Sequence, residues 1–307
     1  MKILITGGLG FIGRKLSVFF LQKGHCVATI GLRSNPPLID HKKFRYISAD
    51  TTRPGDWQQE IALADVVVNL AGKSLFHRWT EQHKQQMRDS RILTTRHLVE
   101  ALPEERNITL ISTSAVGYYG DGKDRILSEE APAGEDFLAG LSLDWESEAR
   151  QAEKKKNARV VIPRFGIVLD ADGGAMDMMI MAFRWFLGGK LGDGEQWFPW
   201  IHMTDLVHAY GFLLENPQIR GAINFCAPYP VQNKELTQTL AGVLKRPAFM
   251  PAPAFMIKLV LGELGKMLLN SQRVVPQRLL DYGYEFEFPS FDRAVAEIVQ
   301  RRDDAIG

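Results

Sequence analysis

Residues 2–13 read KILITGGLGFIG, a short apolar run followed by glycines at positions 7, 8, 10 and 13. The run Lys2–Thr6 predicts a buried strand, and Arg14–Lys23 has the apolar spacing of a helix. A glycine-rich turn that joins a strand to a helix is the context in which a Gly-x-x-Gly-x-x-Gly pattern binds a dinucleotide. The alternative is a glycine-rich turn that holds no ligand.

Each glycine of this pattern has its own physical role. Gly7 permits the tight turn, Gly10 lets the backbone approach a pyrophosphate, and Gly13 allows the helix to pack closely on the strand. The helix N-terminus presents free N–H groups and a partial positive charge to the phosphates. The predicted contacts of the phosphates are therefore Gly7, Gly10, Phe11, Ile12 and Gly13.

The end of the second predicted strand indicates which dinucleotide binds. NAD sites place an Asp or Glu there to hold the ribose 2′-hydroxyl, but residues 30–34 read IGLRS and contain no acid. Arg33 in this stretch can bind a 2′-phosphate through two parallel hydrogen bonds. The pattern favours NADP over NAD as the cofactor, and the alternative for Arg33 is a solvated surface side chain.

Further cofactor contacts are predicted where the third and fourth strands end. Asp50 follows the third strand and can accept a hydrogen bond from the adenine amino group. Small residues end the fourth strand and leave room for a ribose against the backbone, and two cations follow them. Solvated loop side chains are the alternative for those two cations. The contacts predicted here are Asp50, Leu70, Ala71, Gly72, Lys73 and Arg78.

The first 170 residues continue the alternation of strand and helix. Asp65–Leu70 and Arg159–Phe165 are continuous apolar runs, which is the pattern of parallel strands covered on both faces. The predicted fold class is α/β, a Rossmann-type doubly wound parallel sheet. After residue 170, glycine-rich loops and proline clusters indicate a smaller, mainly helical C-terminal lobe. We predict a dinucleotide-binding domain at 1–169 and 205–225, and a substrate-side lobe at 170–204 and 226–307.

The overall composition excludes several classes of protein. The chain has 307 residues with 37 Lys and Arg against 36 Asp and Glu, so its net charge of +1 lacks the basic excess of a nucleic-acid binder. Cys26 and Cys226 have neither disulfide-framework nor zinc spacing, which indicates a reducing compartment. No stretch reads as a signal peptide or a membrane span. We expect a cytoplasmic protein with a small-molecule substrate and with neither nucleic acid nor membrane as a partner.

Three segments together resemble a known superfamily. They are TGGLGFIG at 6–13, NLAG at 69–72 and the strand end Ser112-Thr113-Ser114, and they are similar to the extended short-chain dehydrogenase/reductases. More narrowly, the chain resembles the epimerase family protein branch, grouped with nucleoside-diphosphate-sugar epimerases. The segments 78–102, 163–176, 188–206 and 271–295 carry this closer resemblance. It covers nearly the whole chain and implies a Rossmann fold, NADP as cofactor, and the homodimer that is common in the superfamily.

The resemblance also implies a catalytic Ser, Tyr and Lys, with the Lys four residues after the Tyr. Ser114 fits the serine position at the end of the fifth strand, where it would orient the substrate oxygen. The tyrosine, which serves as general acid and base, would open the helix that starts near residue 137. Phe137 and Leu138 stand there instead, and neither side chain transfers a proton.

Two other tyrosines lie close to Ser114 in the sequence. Tyr119 and Lys123 match the Tyr-x-x-x-Lys spacing, but the two glycines between them argue against a rigid helical pair. Tyr118 or Tyr119 is a candidate donor to a substrate oxygen, and the alternative is that both rings pack against the loop. The candidate catalytic residues are therefore Ser114, Tyr118 and Tyr119.

Two functions fit these residues. The first is an NADP-dependent oxidoreductase or epimerase-like protein of unknown substrate, favoured by Ser114 and by the substrate-type lobe. The second is a non-catalytic NADP-binding sensor or regulator, favoured by the missing Tyr–Lys pair. No metal site is expected, because His202, Asp205 and His208 are three residues apart and drift around a helix. Arg164 is either a ligand of a substrate anion or a member of a structural ion pair.

Overall fold

The computed structural model describes residues 1–36 and 39–306. Its strands, in chain order, are β1 (Lys2–Thr6), β2 (Cys26–Gly31), β3 (Phe44–Ser48), β4 (Val66–Asn69), β5 (Ile108–Ser112), β6 (Ser114–Ala115), β7 (Lys123–Leu127), β8 (Ala158–Phe165), β9 (Ile167–Asp170), β10 (Trp197–Phe198), β11 (Trp200–His202), β12 (Gly221–Phe225), β13 (Val231–Gln232) and β14 (Gln272–Val274). Its α-helices are α1 (Phe11–Gln22), α2 (Gln59–Leu63), α3 (Glu81–Glu100), α4 (Phe137–Arg150), α5 (Gly174–Arg184), α6 (Met203–Glu215), α7 (Asn233–Leu244), α8 (Ala254–Leu261), α9 (Glu263–Leu268), α10 (Gln277–Asp281) and α11 (Phe291–Ile306).

The central sheet is parallel and has the strand order β12-β8-β5-β4-β1-β2-β3, and the short strand β6 also pairs with β8. In β1, Ile3 pairs with Val27 on one side and with Val66 on the other. The chain runs from β1 outward to β3 and then returns to the other side of β1 at β4, so a crevice forms beyond the carboxyl ends of β1 and β4. This order confirms the predicted Rossmann-type doubly wound sheet.

Helices cover both faces of the sheet. On one face, α1 and α6 bury side chains such as Leu16, Phe20 and Leu206 against β1, β8 and β12. On the other face, α2, α3 and α4 pack around residues such as Ile61 and Leu98. All eight residues of β8 and all four of β4 are buried, which explains why these strands read as continuous apolar runs.

The C-terminal lobe has its own apolar core. Helices α5, α7 and α11 pack around the fully buried Trp200, whose ring meets Phe291 edge to face at a centroid distance of 5.3 Å. The lobe is also tied to the sheet domain, because Leu279 and Tyr284 lie in the core cluster that holds α1 and α6. The Tyr284 hydroxyl donates a hydrogen bond to the Asp205 carbonyl at 2.7 Å. The division into two domains stays a prediction as far as independent folding is concerned.

Within residues 1–36 and 39–306, no helix is long and apolar enough to cross a bilayer.

Candidate cofactor and substrate site

The turn between β1 and α1 has no room for a side chain at Gly7, Gly8 or Gly13. Gly7 has a φ of 71°, and a Cβ there would lie 3.0 Å from the Leu70 carbonyl oxygen. A Cβ on Gly13 would lie 2.2 Å from the Gly7 carbonyl oxygen, well inside van der Waals contact. The amide of Gly10 closes the turn by donating to the same carbonyl oxygen at 2.9 Å. The turn is therefore built to bring the start of α1 directly onto the end of β1.

The first turn of α1 is open to an acceptor from outside the helix. Gly10 is the N-cap residue, and no side chain among residues 1–36 and 39–306 caps the helix start. The amides of Phe11, Ile12 and Gly13 lack partners within the helix, because the first N–H groups of any helix have none. The ring of Phe11 lies against the glycine turn that starts α5, 3.5 Å from the position of a Cβ on Gly173. These residues fit the pyrophosphate of a dinucleotide, which would accept hydrogen bonds from the exposed amides.

Arg33 lies two residues beyond β2, at the carboxyl edge of the sheet. Its side chain is exposed, and its carbonyl oxygen accepts a hydrogen bond from the Tyr46 hydroxyl at 2.7 Å. Within residues 1–36 and 39–306, no carboxylate forms an ion pair with the guanidinium group. The position and the unpaired charge fit a 2′-phosphate contact.

Asp50 lies two residues beyond β3, and its carboxylate stabilises its own loop. One oxygen accepts hydrogen bonds from the amide of Thr52 at 3.0 Å and from its hydroxyl at 2.7 Å. The other oxygen lies 3.9 Å from the Arg53 guanidinium. The predicted contact between Asp50 and adenine stays a prediction.

The loop after β4 is held by a residue that the sequence analysis missed. The guanidinium of Arg91, on α3, packs beneath Gly72, with its Cζ 3.0 Å from the position of a Cβ there. It donates to the Lys73 carbonyl at 3.0 Å, and the Lys73 amide donates to the Ser90 hydroxyl at 2.9 Å. Burial lowers the pKa of Arg91 to about 10. Arg91 thereby supports the backbone of Gly72 and Lys73, next to the predicted place of a cofactor ribose, and no sequence pattern indicated this role.

Lys73 and Arg78, both predicted as phosphate contacts, meet at one surface cavity. The cavity has a volume of about 280 Å³ and lies between the loop after β4 and the first turns of α3. No carboxylate of the described chain pairs with either cation. The other lining residues are His77, Thr80, Gln82, His83 and Gln86.

Ser114 lies in β6 at the carboxyl edge of the sheet, where the resemblance implies it. Its hydroxyl, however, already donates a hydrogen bond within the protein. The residue is 1% exposed, and its Oγ donates to Glu146 Oε1 at 2.8 Å. Glu146 in turn forms a bidentate ion pair with Arg164, at 2.7 and 2.8 Å. Of the two alternatives for Arg164, the structure shows the ion pair. With its only proton donated to Glu146, Ser114 can offer a substrate an acceptor but no donor.

Tyr118 and Tyr119 differ sharply in their surroundings. Tyr119 is 2% exposed, donates to Asn224 Oδ1 at 2.7 Å and accepts from Arg164 Nη1 at 2.9 Å. Burial raises the pKa of the Tyr119 phenol above its ordinary value. Tyr118 is half-buried with its ring centroid 3.5 Å from the Arg164 guanidinium carbon, and its hydroxyl makes no hydrogen bond to the part of the chain described. Of the two phenols, that of Tyr118 is therefore the more exposed.

The start of α4 is apolar where the superfamily places its tyrosine. The ring of Phe137 meets Trp79 edge to face at 5.4 Å, and Leu138 packs against Gly117. Four residues further on, where the lysine would stand, Leu141 and Ser142 are buried. No proton donor of the superfamily type lies on this helix.

Other charged groups that the sequence singled out have structural partners. His202 Nδ1 accepts from the Thr204 amide at 3.2 Å, and its Nε2 lies 3.0 Å from Glu297. The Asp205 carboxylate accepts from the amides of Glu287 and Phe288 at 2.7 and 3.0 Å. These contacts give both residues a structural role.

The sequence analysis also missed Glu146. It stands among Asp144, Glu148 and Arg150 in the second half of α4, so the sequence does not distinguish it from the charges that face solvent.

Comparison with known proteins places the chain in a family. A family model described as the NAD dependent epimerase/dehydratase family matches residues 3–225, and one described as a domain of unknown function (DUF1731) matches residues 252–298. The chain is 37% identical over 306 residues to the chloroplastic homologue of epimerase family protein SDR39U1 from Arabidopsis thaliana, covering 98% of this chain and 87% of that protein. It is 35% identical over 307 residues to epimerase family protein YfhF from Bacillus subtilis, covering 98% and 99%.

A solved structure agrees with these relatives. Human epimerase family protein SDR39U1 (isoform 2), solved with NADPH, superposes with a TM-score of 0.84 at 32% identity, over 98% of this chain and 99% of that one. The family model covers more than half of the chain, and the relatives extend the match to nearly its full length. Together with the strand order and the glycine turn, these matches establish that the chain belongs to the NAD-dependent epimerase/dehydratase family and carries the extra C-terminal DUF1731 domain.

Proposed function

We propose that this protein binds NADP(H) and acts as an oxidoreductase or epimerase-like protein on an alcohol or carbonyl group of a small or sugar-nucleotide-like substrate. The observation that carries the proposal is the glycine turn, where Gly13 has no room for a side chain and the first amides of α1 are left for a phosphate acceptor. The human relative whose structure contains NADPH supports the same cofactor.

The preference for NADP over NAD rests on Arg33. Its guanidinium lies at the edge of the sheet beside β2 and has no carboxylate partner among the residues described. A phosphate on the ribose would supply that partner, whereas the free 2′-hydroxyl of NAD would not. Arg33 therefore discriminates through charge.

In the proposed reaction, bound NADPH supplies a hydride to a carbonyl carbon, and NADP⁺ and an alcohol result once the oxygen takes up a proton. We assign the donation of that proton to Tyr118, because its hydroxyl is unengaged. Tyr119 holds Arg164 and Asn224 in place, and Ser114 donates its proton to Glu146, the partner of Arg164.

The first test is a titration of the purified protein with NADPH, NADP⁺, NADH and NAD⁺, followed by nicotinamide fluorescence or calorimetry. Tighter binding of the two phosphorylated forms supports the proposal. Equal binding of all four would contradict the role of Arg33. Absence of binding by any of them would overturn the proposal as a whole.

A second candidate function is favoured by a specific observation. Phe137 and Leu138 stand where the superfamily tyrosine belongs, and the Ser114 proton is donated to Glu146. Both features suit a sensor that binds NADP(H) without turning over a substrate. Such a protein would show cofactor-dependent binding of a partner and no oxidation of NADPH with a broad panel of carbonyl compounds.

We also propose a cytoplasmic location. Cys26 is exposed and Cys226 is buried, and both are free thiols, which suits a reducing compartment. A homodimer is a separate expectation, which sedimentation equilibrium of the purified protein would test.

A further inference from the structure

Two cations face one surface cavity without a partner from the protein. The side chains of Lys73 and Arg78 line the cavity of about 280 Å³ between the loop after β4 and the first turns of α3. Within residues 1–36 and 39–306, neither side chain forms an ion pair or a hydrogen bond. Glu81, the acid nearest to Arg78 in the sequence, pairs with Lys84 at 2.7 Å and does not line the cavity. The cavity therefore carries positive charge that no carboxylate of the described chain neutralises.

The remaining side chains of the cavity are hydrogen-bond donors. None of them is acidic or apolar, and each has an N–H or O–H group to offer. They are His77, Thr80, Gln82, His83 and Gln86. Cations surrounded by neutral donors suit an anion, because each donor strengthens the binding of its negative oxygens. The volume of the cavity is near the lower end of the range for small-molecule sites, about 300 Å³.

Contacts within the loop after β4 keep the cavity in shape. The Trp79 indole N–H donates to the Leu75 carbonyl at 2.9 Å, and Nε2 of His83 lies 3.0 Å from the Ser74 carbonyl oxygen. Lys73 is held by α3 through both of its backbone groups, which leaves its ammonium to face the cavity. The two cations are thus presented by an ordered backbone, and little ordering cost opposes the binding of an anion.

The phosphates of the proposed cofactor have contacts elsewhere. Its pyrophosphate is assigned to the amides at the start of α1, and its 2′-phosphate to Arg33 beyond β2. Strands β2 and β4 flank β1 on opposite sides, so the cavity beside β4 lies across the glycine turn from Arg33. Because the 2′-phosphate is on the adenosine ribose, the nicotinamide half extends toward β4, and it carries no further phosphate. An anion in the cavity would therefore belong to a second molecule.

The wall of the cavity is joined to the segment that bears Tyr118. Trp79, in the loop that lines the cavity, meets Phe137 edge to face at a centroid distance of 5.4 Å. Leu138, the next residue, packs against Gly117, which directly precedes Tyr118. A small molecule anchored in the cavity would extend along this wall toward the phenol proposed as the proton donor.

We infer that the substrate is a small phosphate monoester whose phosphate is bound by Lys73 and Arg78. A monoester carries a charge of about −1.5 to −2 at pH 7, which matches two unpaired cations, whereas a carboxylate would leave one of them unpaired. The inference rests on the proposed function for the identity of the reacting carbonyl or alcohol group. It also transfers the two residues, predicted from the sequence as phosphate contacts of the cofactor, to the phosphate of the substrate.

The test measures binding with two probes that differ only in the phosphate. Calorimetry follows the binding of dihydroxyacetone phosphate and of dihydroxyacetone, and separately of UDP-glucose, to the protein with and without NADP⁺. Lys73→Gln and Arg78→Gln each remove one charge. Both variants are expected to weaken the binding of dihydroxyacetone phosphate about 10- to 100-fold, the value of a charge-assisted contact, and to bind NADP⁺ as the wild type does.

Two matched controls remove the same charges elsewhere. Lys42→Gln changes an exposed lysine before β3, at the amino edge of the sheet, and Arg293→Gln changes an exposed arginine on α11. Both should bind dihydroxyacetone phosphate as the wild type does. A loss confined to the two cavity variants, with NADP⁺ binding unchanged, supports the inference.

Three results would overturn the inference. The first is binding of dihydroxyacetone phosphate that is no tighter than that of dihydroxyacetone, or that the controls weaken equally. The second is weaker NADP⁺ binding in either cavity variant, which would return that cation to the cofactor. The third is tighter binding of UDP-glucose than of dihydroxyacetone phosphate through the same two cations, which would make the ligand a diphosphate. Failure of the proposed function appears instead as absent NADP⁺ binding by the wild type, and the titrations without cofactor keep the two failures distinguishable.

Discussion

Tyr118 and Tyr119 are neighbours in sequence, but their hydroxyl groups have different environments and therefore different expected roles. The Tyr119 hydroxyl bridges Arg164 and Asn224 in the interior, while that of Tyr118 has no partner in the described chain. Tyr118→Phe is expected to lower kcat about 100-fold with any substrate that is identified, which is the lower end of the effect of losing a general acid. The same change should leave the free energy of unfolding unchanged. Tyr119→Phe is the matched variant and should cost about 1–2 kcal/mol of unfolding free energy, because it leaves buried partners unsatisfied.

Turnover assays and urea unfolding of both variants check this assignment. Unchanged kcat in Tyr118→Phe would contradict the assignment.

Arg33 is expected to set the preference for NADPH over NADH. Arg33→Ala should weaken NADPH binding about 10- to 100-fold, the value of a charge-assisted contact, and leave NADH binding nearly unchanged. Arg293→Ala removes an exposed arginine on α11 and serves as the control. Competition titrations measure both, and an equal loss for the two cofactors would refute the 2′-phosphate contact.

Residues that act locally were predictable, and those that act through distant contacts were not. The roles of Gly7, Gly10 and Gly13 follow from a pattern seven residues long, so the sequence alone identifies them. The pair Glu146–Arg164 and the position of Arg91 beneath Gly72 depend on which helix packs against which strand. Glu146 and Arg91 both lie in helices with many other charged residues, so a single sequence does not distinguish them from charges that face solvent.

The cofactor proposal depends on helix α1 and on the glycine turn before it. Gly13→Ala would place a methyl group 2.2 Å from the Gly7 carbonyl oxygen and so force α1 away from β1. We expect a loss of about 1–3 kcal/mol in unfolding free energy, the usual cost of overpacking, and the loss of detectable NADPH binding.

Gly242→Ala provides the matched control for this substitution. A Cβ on Gly242 meets nothing within 4 Å, and the residue lies inside α7. Its replacement should raise stability by about 0.5–1 kcal/mol and leave NADPH binding intact. Urea unfolding and the NADPH titration measure both variants, and intact NADPH binding by Gly13→Ala would argue against the close approach of pyrophosphate.

The strands of the sheet domain were predictable as elements because burial on both faces makes their composition nearly uniform. Lys2–Thr6 has the same bounds in the sequence analysis and in the structure, and the runs Asp65–Leu70 and Arg159–Phe165 differ from their strands by at most one residue at each end. The short pairs β9–β11 and β10–β13 were not predicted, since two or three residues carry no periodicity.

The sequence alone predicts a sheet domain and a helical lobe, but it does not show how the two are joined. The C-terminal segment around Tyr284 returns to the sheet domain and packs with α6. The Tyr284 hydroxyl donates a hydrogen bond to the Asp205 carbonyl. This contact joins residues 79 positions apart, which local patterns do not report. The junction places His202, at the start of α6, against Glu297 of α11.

His202 makes this junction sensitive to pH. The residue is fully buried, and its Nδ1 accepts a hydrogen bond from the Thr204 amide while Nε2 faces Glu297. Protonation at Nδ1 would remove that acceptor, and burial lowers the pKa of His202 below its ordinary value of 6.5. The folded state then binds this proton less readily than the unfolded chain does, so the stabilising contribution is complete above pH 6.5 and is lost as the pH falls toward the folded pKa.

His202→Asn removes the titrating group from the junction. Urea unfolding of the wild type between pH 7 and 5 should show a decrease in unfolding free energy that His202→Asn lacks, with a difference in slope of at most about 1.4 kcal/mol per pH unit. Burial raises the pKa of the Glu129 carboxyl, which acts in the opposite direction but remains in both proteins and cancels in the comparison. Burial also raises the pKa of Asp205, and because His202 lowers it, the difference between the two proteins includes a contribution from Asp205. Parallel pH profiles for the two proteins would mean that protonation of His202 does not lower the free energy of unfolding. The junction would then be held by its apolar contacts alone.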